Sequence, residues 1–244
     1  MIPAETLQTS HPTTAPEARL VALADPESPA AVQYRVLYQR LLRLAARRPT
    51  RVVAITSAGR GEGRTTTAAN LALTAVQEGR SVVLVEGDLR RPTLAGLFGL
   101  APRPGLGEVL EGAAELGQAV VRAGGLAILC AGEVRDPAAT LRSPRLPAVM
   151  EQLRAAHELV ILDAPPALAF ADGDRLAAAA DAAVLVIRAG VTPRHVVRIA
   201  LEALGERAVG VVLNDVDAAA GGRVSWLYAD GPEAAPAAVD RRVG

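Results

Sequence analysis

Residues 52–66 read VVAITSAGRGEGRTT, and their pattern is the strongest indication of the fold. An apolar, β-branched run leads through Gly59, Gly61 and Gly63 directly into a segment that predicts a helix. Glycines let consecutive backbone N–H groups turn inward around a phosphate, and the N-terminus of the following helix adds a partial positive charge. The stretch therefore predicts a strand, a phosphate loop and a helix in that order. An ordinary glycine-rich turn is the alternative interpretation.

Consecutive residues of this loop are the candidates for binding a nucleotide: Gly59, Arg60, Gly61, Glu62, Gly63, Arg64, Thr65 and Thr66. Thr65 can offer its hydroxyl to Mg²⁺. Arg64 stands where the usual pattern has Lys, and all 26 basic residues of the chain are Arg. The guanidinium has a longer, planar fork than an ammonium, but it still supplies charge and donors to phosphate oxygens.

Short β-branched runs recur outward from this loop and predict strands at 52–56, 82–85, 126–130, 159–162, 184–187 and 209–213. Helical patterns lie between them, and an amphipathic pattern at 29–46 precedes the first strand. The alternation predicts an α/β, P-loop NTPase-like fold with a mostly parallel central sheet and helices on both faces. Thr192-Pro193 predicts a helix start with Thr192 as the cap, and Gly205 can end that helix.

Acidic residues follow two of the predicted strands directly. Glu86 and Asp88 end the second strand, and Asp163 ends the strand at 159–162. In an open parallel sheet, ligands bind beyond the carboxyl ends of the strands. Asp163 can hold a Mg²⁺-bound water, while Glu86 or Asp88 can orient or deprotonate an attacking hydroxyl. Each acid could instead cap the helix that follows it.

Composition limits the classes of protein that fit. The 244 residues suffice for one domain, which we place at 25–217, between a flexible leader at 1–24 and a loose tail at 218–244. The formal net charge of zero gives no reason to expect nucleic-acid binding. No signal peptide or membrane-spanning stretch is apparent, which predicts a cytoplasmic protein. The lone Cys130, in an apolar run, is predicted to be a core residue.

These motifs together resemble the BY-kinase family, the cytoplasmic tyrosine-kinase domains of bacterial capsule and exopolysaccharide systems. The resemblance covers residues 26–217. It rests on three Walker-like segments and three further matches: 57–67, 86–92 (EGDLRRP), 163–166 (DAPP), 105–112 (GLGEVLEG), 131–143 and 210–214 (GVVLN). Partition and cell-division ATPases share the fold, but their loops normally carry a Lys where this chain has Gly59.

The resemblance implies that the loop binds ATP·Mg²⁺, that Asp163 lies in the outer shell of the metal, and that Asn214 faces the adenine. It also implies a ring of subunits that phosphorylate one another's tyrosine-rich tails. A membrane adaptor of the polysaccharide co-polymerase type would activate the kinase. The adaptor would bring the protein to the inner face of the cell membrane.

Several positions depart from the family pattern. Arg64 replaces Lys, and Glu86 is one methylene longer than the expected Asp. The oligomerisation motif Glu-x-x-Arg-x-x-Arg reads Val32, Arg35, Tyr38, so only Arg35 matches. The chain has three tyrosines, and Tyr228 is the sole phosphoacceptor candidate in the tail.

Three functions therefore stay open. The first is an ATP-dependent tyrosine kinase that regulates polysaccharide chain length or export. The second is a catalytically impaired nucleotide-binding scaffold of the same machinery, which the departures from the family pattern at Arg64 and in the tail favour. The third is a partition-type ATPase, which the neutral charge does not favour.

Overall fold

The structure is a computed structural model and describes residues 19–168, 176 and 178–216. Within these residues, seven strands form one sheet in the order β3-β4-β2-β5-β1-β6-β7. The strands are β1 (Val52–Ser57), β2 (Val82–Glu86), β3 (Val121–Ala123), β4 (Leu126–Leu129), β5 (Leu159–Asp163), β6 (Ala182–Arg188) and β7 (Ala208–Asn214). The six predicted strands are all present, each within two residues of its predicted bounds.

The helices of the described residues alternate with these strands. They are α1 (Val21–Ala24), α2 (Pro29–Ala45), α3 (Arg64–Gln77), α4 (Leu94–Leu97), α5 (Leu106–Glu111), α6 (Leu116–Ala119), α7 (Pro137–Leu141), α8 (Leu146–Ala156) and α9 (Arg194–Leu204). The start of α2 follows from its sequence: the Ser28 side chain accepts the Ala31 N–H at 3.2 Å, and Pro29 occupies the first helical position.

All neighbouring strands are parallel except β3, which pairs antiparallel with β4 through Val121 and Ile128. The short β3 has no apolar run of its own, because its middle residue is Arg122, and sequence patterns did not indicate it. Antiparallel pairing with β4 across the turn at Gly124 stabilises it instead. The predicted α/β fold with a mostly parallel sheet is confirmed.

Side chains alternate between the two faces of the sheet, and each face has its own apolar layer. On β2, Val83 and Val85 belong to one layer, while Val82 and Leu84 belong to the other. The first layer is covered by α5, α8 and α9, and the second by α1 to α4. Small residues let α3 approach the sheet closely, since its Ala68, Ala72 and Ala75 are fully buried. The core is thus built largely without aromatic residues.

Part of the predicted leader at 1–24 lies within the described residues and is helical. Residues 21–24, which the sequence assigned to the leader, form α1 against α3. The Ala22 N–H donates to Asn70 Oδ1 at 2.9 Å, and Gln77 Nε2 donates to the Ala22 carbonyl at 2.7 Å. These partners lie about fifty residues away, so local patterns could not reveal them. The predicted tail at 218–244, with Tyr228, lies outside the described residues.

A second correction concerns the start of α9. The helix begins at Arg194 with Pro193 as its N-cap, and no side chain caps it, so the predicted capping role of Thr192 was wrong. The predicted end at Gly205 is confirmed. None of the helices in the described part of the chain has the length and hydropathy of a bilayer-spanning segment.

Candidate functional site

The phosphate loop lies at the centre of the sheet, because β1 pairs with β5 on one side and β6 on the other. Gly61 and Gly63 have φ angles of 73° and 90°, in the left-handed region that favours glycine. Glu62 Oε2 accepts the Gly59 N–H at 2.8 Å and closes the loop internally. The loop therefore turns sharply and delivers the chain to the first residue of α3.

The N-terminus of α3 supplies anion-binding groups. The amides of Arg64, Thr65 and Thr66 belong to its first turn, where backbone N–H groups have no partner within the helix. These donors and the helix dipole favour a negative charge just before Arg64. The sequence thus places free donors where a nucleotide phosphate would sit.

Arg64 extends from this helix start into a group of carboxylates. Its Nη2 donates to Asp88 Oδ2, and its Nε lies 3.6 Å from Asp163 Oδ1. The Arg64 side chain is 12% exposed and that of Asp163 is 1% exposed. Glu86 and Asp88 also act electrostatically on Asp163, so three acids lie in the region of this guanidinium. The site can accept further positive charge.

Within the part of the chain that the structure describes, Asp163 lacks hydrogen-bond partners. Neither of its buried carboxylate oxygens meets a donor at hydrogen-bonding geometry. Burial raises the pKa of Asp163 from 3.8 to about 7, and the nearby Thr65 hydroxyl and Arg64 guanidinium lower it by less. Asp163 thus does not cap a helix but stays available to a ligand. A hydroxyl beside an unpartnered carboxylate suits Mg²⁺, which prefers oxygen ligands and retains waters.

Glu86 is placed differently. Its Oε1 accepts the Thr93 N–H and, at 2.8 Å, the Leu94 N–H at the start of α4, while its Oε2 accepts the Ala131 N–H at 3.0 Å. Burial raises the pKa of Glu86, although these backbone donors lower it in part. Both oxygens therefore hold the chain around the site, as the capping interpretation anticipated. The predicted catalytic role of Glu86 stays a prediction.

Asp88 joins the two halves of the site. One oxygen pairs with Arg64, and the other accepts the N–H groups of Arg90 and Arg91 at 3.3 and 3.2 Å. The turn at 88–91 is thereby held against the head of α3. Asp88 remains 7% exposed, in contrast to the 1% of Glu86.

Asn214, at the end of β7, borders the phosphate loop. Its Nδ2 donates to the Glu62 carbonyl at 3.0 Å. A side chain added at Gly63 would place its Cβ 2.0 Å from the same nitrogen, so only glycine fits there. Arg60 is exposed at the rim of the loop. Of the predicted site residues, all but Tyr228 lie in the described part of the chain, around the carboxyl ends of the central strands.

Two residues of this region were not predicted as site residues. Thr93 Oγ1 donates to Thr65 Oγ1 at 3.2 Å, beside the candidate metal ligands. Thr192 donates its hydroxyl to Glu62 Oε1. Both follow a strand at the carboxyl edge of the sheet, and this position was a signal that could have identified them.

Cys130 lies under the site without taking part in it. The side chain is 5% exposed, which confirms the prediction of a core residue. Burial, together with the charge of Glu86, raises the pKa of the Cys130 thiol to about 11. The thiol is therefore not a nucleophile at neutral pH.

The fold, the left-handed glycines and the acids at neighbouring strand ends define a P-loop nucleotide-binding protein. Comparisons with known proteins narrow this class. The chain is 36% identical to tyrosine-protein kinase YwqD of Bacillus subtilis over 201 residues, which cover 80% of this chain and 85% of the relative. The chain belongs to the BY-kinase family. No profile of a known protein family matches it.

Solved structures of kinase domains and of a related ATPase resemble this chain. The kinase domain of the Escherichia coli tyrosine kinase ETK superposes with a TM-score of 0.79 at 25% identity, covering 87% of this chain and 86% of that domain. MinD of Pyrococcus horikoshii, complexed with Mg-ADP, gives a TM-score of 0.57 at 26% identity, covering 67% of this chain and 70% of MinD. The predicted family is thus confirmed, and a more distant relative of the same fold binds a magnesium nucleotide.

One further relative indicates a biological setting. The chain is 33% identical over 177 residues to the succinoglycan biosynthesis transport protein ExoP of Rhizobium meliloti. The match covers 69% of this chain but 22% of ExoP. Members of the family therefore include a protein of exopolysaccharide biosynthesis.

Proposed function

We propose that this chain binds ATP·Mg²⁺ and transfers the γ-phosphoryl group to protein tyrosine. The observation that carries the proposal is Asp163, whose two buried oxygens have no hydrogen-bond partner beside Thr65 at the head of the phosphate helix. A buried polar group without a partner costs free energy. A hydrated divalent cation would satisfy it, and family membership supports the same reaction.

Different residues of the site would bind the phosphates, the adenine and the metal. Amides of the loop and of the first turn of α3 bind the phosphates, and Asn214 borders the adenine. Thr65 would hold the metal through its hydroxyl, and Asp163 through a water. When bound, Mg²⁺ neutralises the charge that develops between the β- and γ-phosphates. Arg64 adds donors for the phosphate oxygens.

The acid that orients or deprotonates the acceptor hydroxyl is, on this geometry, better assigned to Asp88 than to Glu86. Both oxygens of Glu86 are already bonded to backbone N–H groups. Asp88 is more exposed, and it would regain an acceptor oxygen if Arg64 moved to a bound phosphate. The acceptor we propose is Tyr228, because Tyr38 is buried and burial raises the pKa of Tyr34.

A second candidate function is a nucleotide-binding scaffold without phosphotransfer. The specific observation that favours it is the pairing of Arg64 with Asp88 and its approach to Asp163. A guanidinium held between two carboxylates must leave them to reach a phosphate, and separating a nearly buried ion pair is costly. On this account Arg64 serves the fold more than it serves the transferring group.

The two candidates differ in one experiment on the full chain. ATP and ADP affinities are measured by calorimetry with and without Mg²⁺, and phosphotyrosine is mapped by mass spectrometry after incubation with ATP·Mg²⁺. A kinase binds both nucleotides, phosphorylates Tyr228, and loses this activity in Arg64→Ala while Arg64→Lys retains it. Nucleotide binding without phosphotyrosine supports the scaffold. Failure to bind either nucleotide at millimolar concentration overturns both.

A matched control is Arg80→Ala. Arg80 pairs with Glu158 at 2.7 Å at the opposite edge of the sheet, before β2 begins. This variant removes an arginine ion pair without touching the site. It should therefore leave affinity and phosphotransfer unchanged.

We place the protein at the inner face of the cell membrane, in the cytoplasm, with a polysaccharide co-polymerase as its adaptor. The relationship to ExoP supports this setting.

We further propose that self-association through α2 is weakened. In the altered oligomerisation motif, Tyr38 is 2% exposed, and Arg35 donates to the Pro26 carbonyl at 2.6 Å. Light scattering with and without the adaptor measures both the binding of the adaptor and the self-association of the chain. Nucleotide-dependent binding to DNA or lipid alone would instead favour a partition-type ATPase.

A further inference from the structure

Glu62 occupies an unusual place in the phosphate loop. Its side chain points back into the protein, and the residue is 6% exposed although it lies between two glycines of a surface loop. One carboxylate oxygen accepts the Gly59 N–H at 2.8 Å, and the other accepts the hydroxyl proton of Thr192. Both oxygens are thus engaged, one within the loop and one outside it.

The outside partner belongs to the loop that joins β6 to α9, at residues 189–193. The Thr192 hydroxyl oxygen also accepts the Arg188 N–H at 2.9 Å, so that its proton is directed at Glu62. The same loop is tied to β7, because the Ala189 N–H donates to the Asn214 carbonyl at 2.8 Å. Asn214 in turn donates to the Glu62 carbonyl. Glu62 therefore closes a ring of contacts from the phosphate loop to the ends of β6 and β7.

These contacts are interdependent because the carboxylate is buried. If the Thr192 hydroxyl is removed, one Glu62 oxygen remains buried without a donor, and leaving a charged group unpartnered costs more than the lost bond itself. The carboxylate can escape this cost by turning towards solvent. That movement also releases the Gly59 N–H and frees the loop between Gly59 and Gly63.

The geometry points to Glu62 as a positioning residue that holds the phosphate loop in its anion-binding shape and couples it, through Thr192, to the loop after β6. This inference rests on the proposed nucleotide-binding function. Both carboxylate oxygens of Glu62 are engaged by groups of the protein. Glu62 acts through the amides whose direction it sets.

The test uses the full chain and the variants Thr192→Val, Thr192→Ser and Glu62→Gln. Hydrogen exchange of peptides covering 58–63 is measured without nucleotide, and the ADP·Mg²⁺ dissociation constant is measured by calorimetry. Thr192→Val should speed exchange in the loop and weaken ADP binding, each on the order of tenfold. Thr192→Ser should restore both. Glu62→Gln, which keeps one acceptor oxygen instead of two, should weaken ADP binding even where Thr192 is intact.

The matched control is Thr140→Val. Thr140 is 5% exposed and donates its hydroxyl to Glu111 Oε1 at 2.8 Å, between α7 and α5, away from the phosphate loop. It removes the same kind of bond and should leave loop exchange and ADP affinity unchanged. A comparable change in Thr140→Val would mean general destabilisation and would overturn the inference.

The remaining outcomes separate the two claims. Unchanged loop exchange in Thr192→Val overturns the inference, whatever the nucleotide does. Faster exchange with ADP affinity within twofold of wild type also overturns it, because the bond would then not position the loop for a phosphate. If wild-type protein binds no nucleotide while Thr192→Val speeds loop exchange and Thr192→Ser restores it, the proposed function fails and the link between the two loops stands.

Discussion

Replacing Asp163 with Asn should stabilise the nucleotide-free protein. The carboxylate is 1% exposed, its oxygens have no hydrogen-bond partner among the described residues, and Arg64 at 3.6 Å offsets only part of the effect of burial and of the acids Glu86 and Asp88. A carboxylate in this environment is available to a ligand but lowers the stability of the folded protein. Asparagine keeps the shape of the side chain and removes the buried charge. The same change should abolish the Mg²⁺-dependent part of nucleotide affinity.

The magnitude and its pH dependence follow from the pKa of Asp163. This pKa rises from 3.8 to about 7 in the folded protein, so between pH 3.8 and about pH 7 the folded state retains a proton that the unfolded state releases. The contribution of Asp163 to the stability of wild type therefore falls as the pH rises from about 4 to about 7 and then levels off. The destabilisation amounts to about 1.5 kcal/mol at pH 5 and about 4 kcal/mol at pH 8, where Asp163→Asn gains most.

Urea unfolding in EDTA without nucleotide, at pH 5 and pH 8, measures this gain. The unmet hydrogen bonds of the new amide add a similar offset at both values, so the increase between them, about 2.5 kcal/mol, is the signature. If the stability gained by Asp163→Asn does not grow with pH, or if the variant is less stable than wild type and more so at pH 8, burial of the Asp163 charge does not destabilise the protein.

Three further predictions follow from single contacts. Asp181→Asn should destabilise the protein at pH 8. Burial alone would raise the pKa of Asp181, but hydrogen bonds from backbone N–H groups and from an arginine outweigh burial and lower it, so the ionised carboxylate stabilises the fold until the pH falls below about 4. Equal urea midpoints for the variant and wild type at pH 8 would contradict this. Gly63→Ala should abolish ADP binding by displacing Asn214, whereas Gly79→Ala, at a similar φ of 82° but in open space, should bind normally in the same calorimetry. Cys130 should react with a thiol reagent at pH 8 only after urea is added, and rapid labelling of the folded protein would disprove its enclosure.

Much of the fold could be predicted because its signals are local. Runs of β-branched residues with helical patterns between them identify strands of a parallel sheet, and Gly61 and Gly63 allow the positive φ angles of the phosphate loop. The position of Asp163 after a buried strand placed it at the carboxyl edge of the sheet. These features depend on residues next to one another in the chain. They need no knowledge of which elements finally touch.

Other features depend on contacts between distant segments. The sequence placed Glu86, Asp88 and Asp163 at strand ends and left open, for each, a site role or a capping role; only the packed structure separates them. Glu86 binds the start of α4, Asp88 pairs with Arg64, and Asp163 has no hydrogen-bond partner among the described residues. Likewise, α1 forms because Asn70 and Gln77 receive its backbone.

By itself, the sequence determined that this protein has a phosphate loop on a parallel α/β sheet and belongs among the BY-kinases. Spacing and residue type suffice for the loop and the sheet, since backbone geometry follows from short-range sterics, whereas the family rests on the resemblance of the ordered motifs. Tertiary structure alone decided what each polar side chain does. A carboxylate or hydroxyl can cap, pair or bind a ligand, and the choice rests on which donors the fold brings within about 3 Å of it. For Thr192 that donor–acceptor pairing lay 130 residues away, at Glu62.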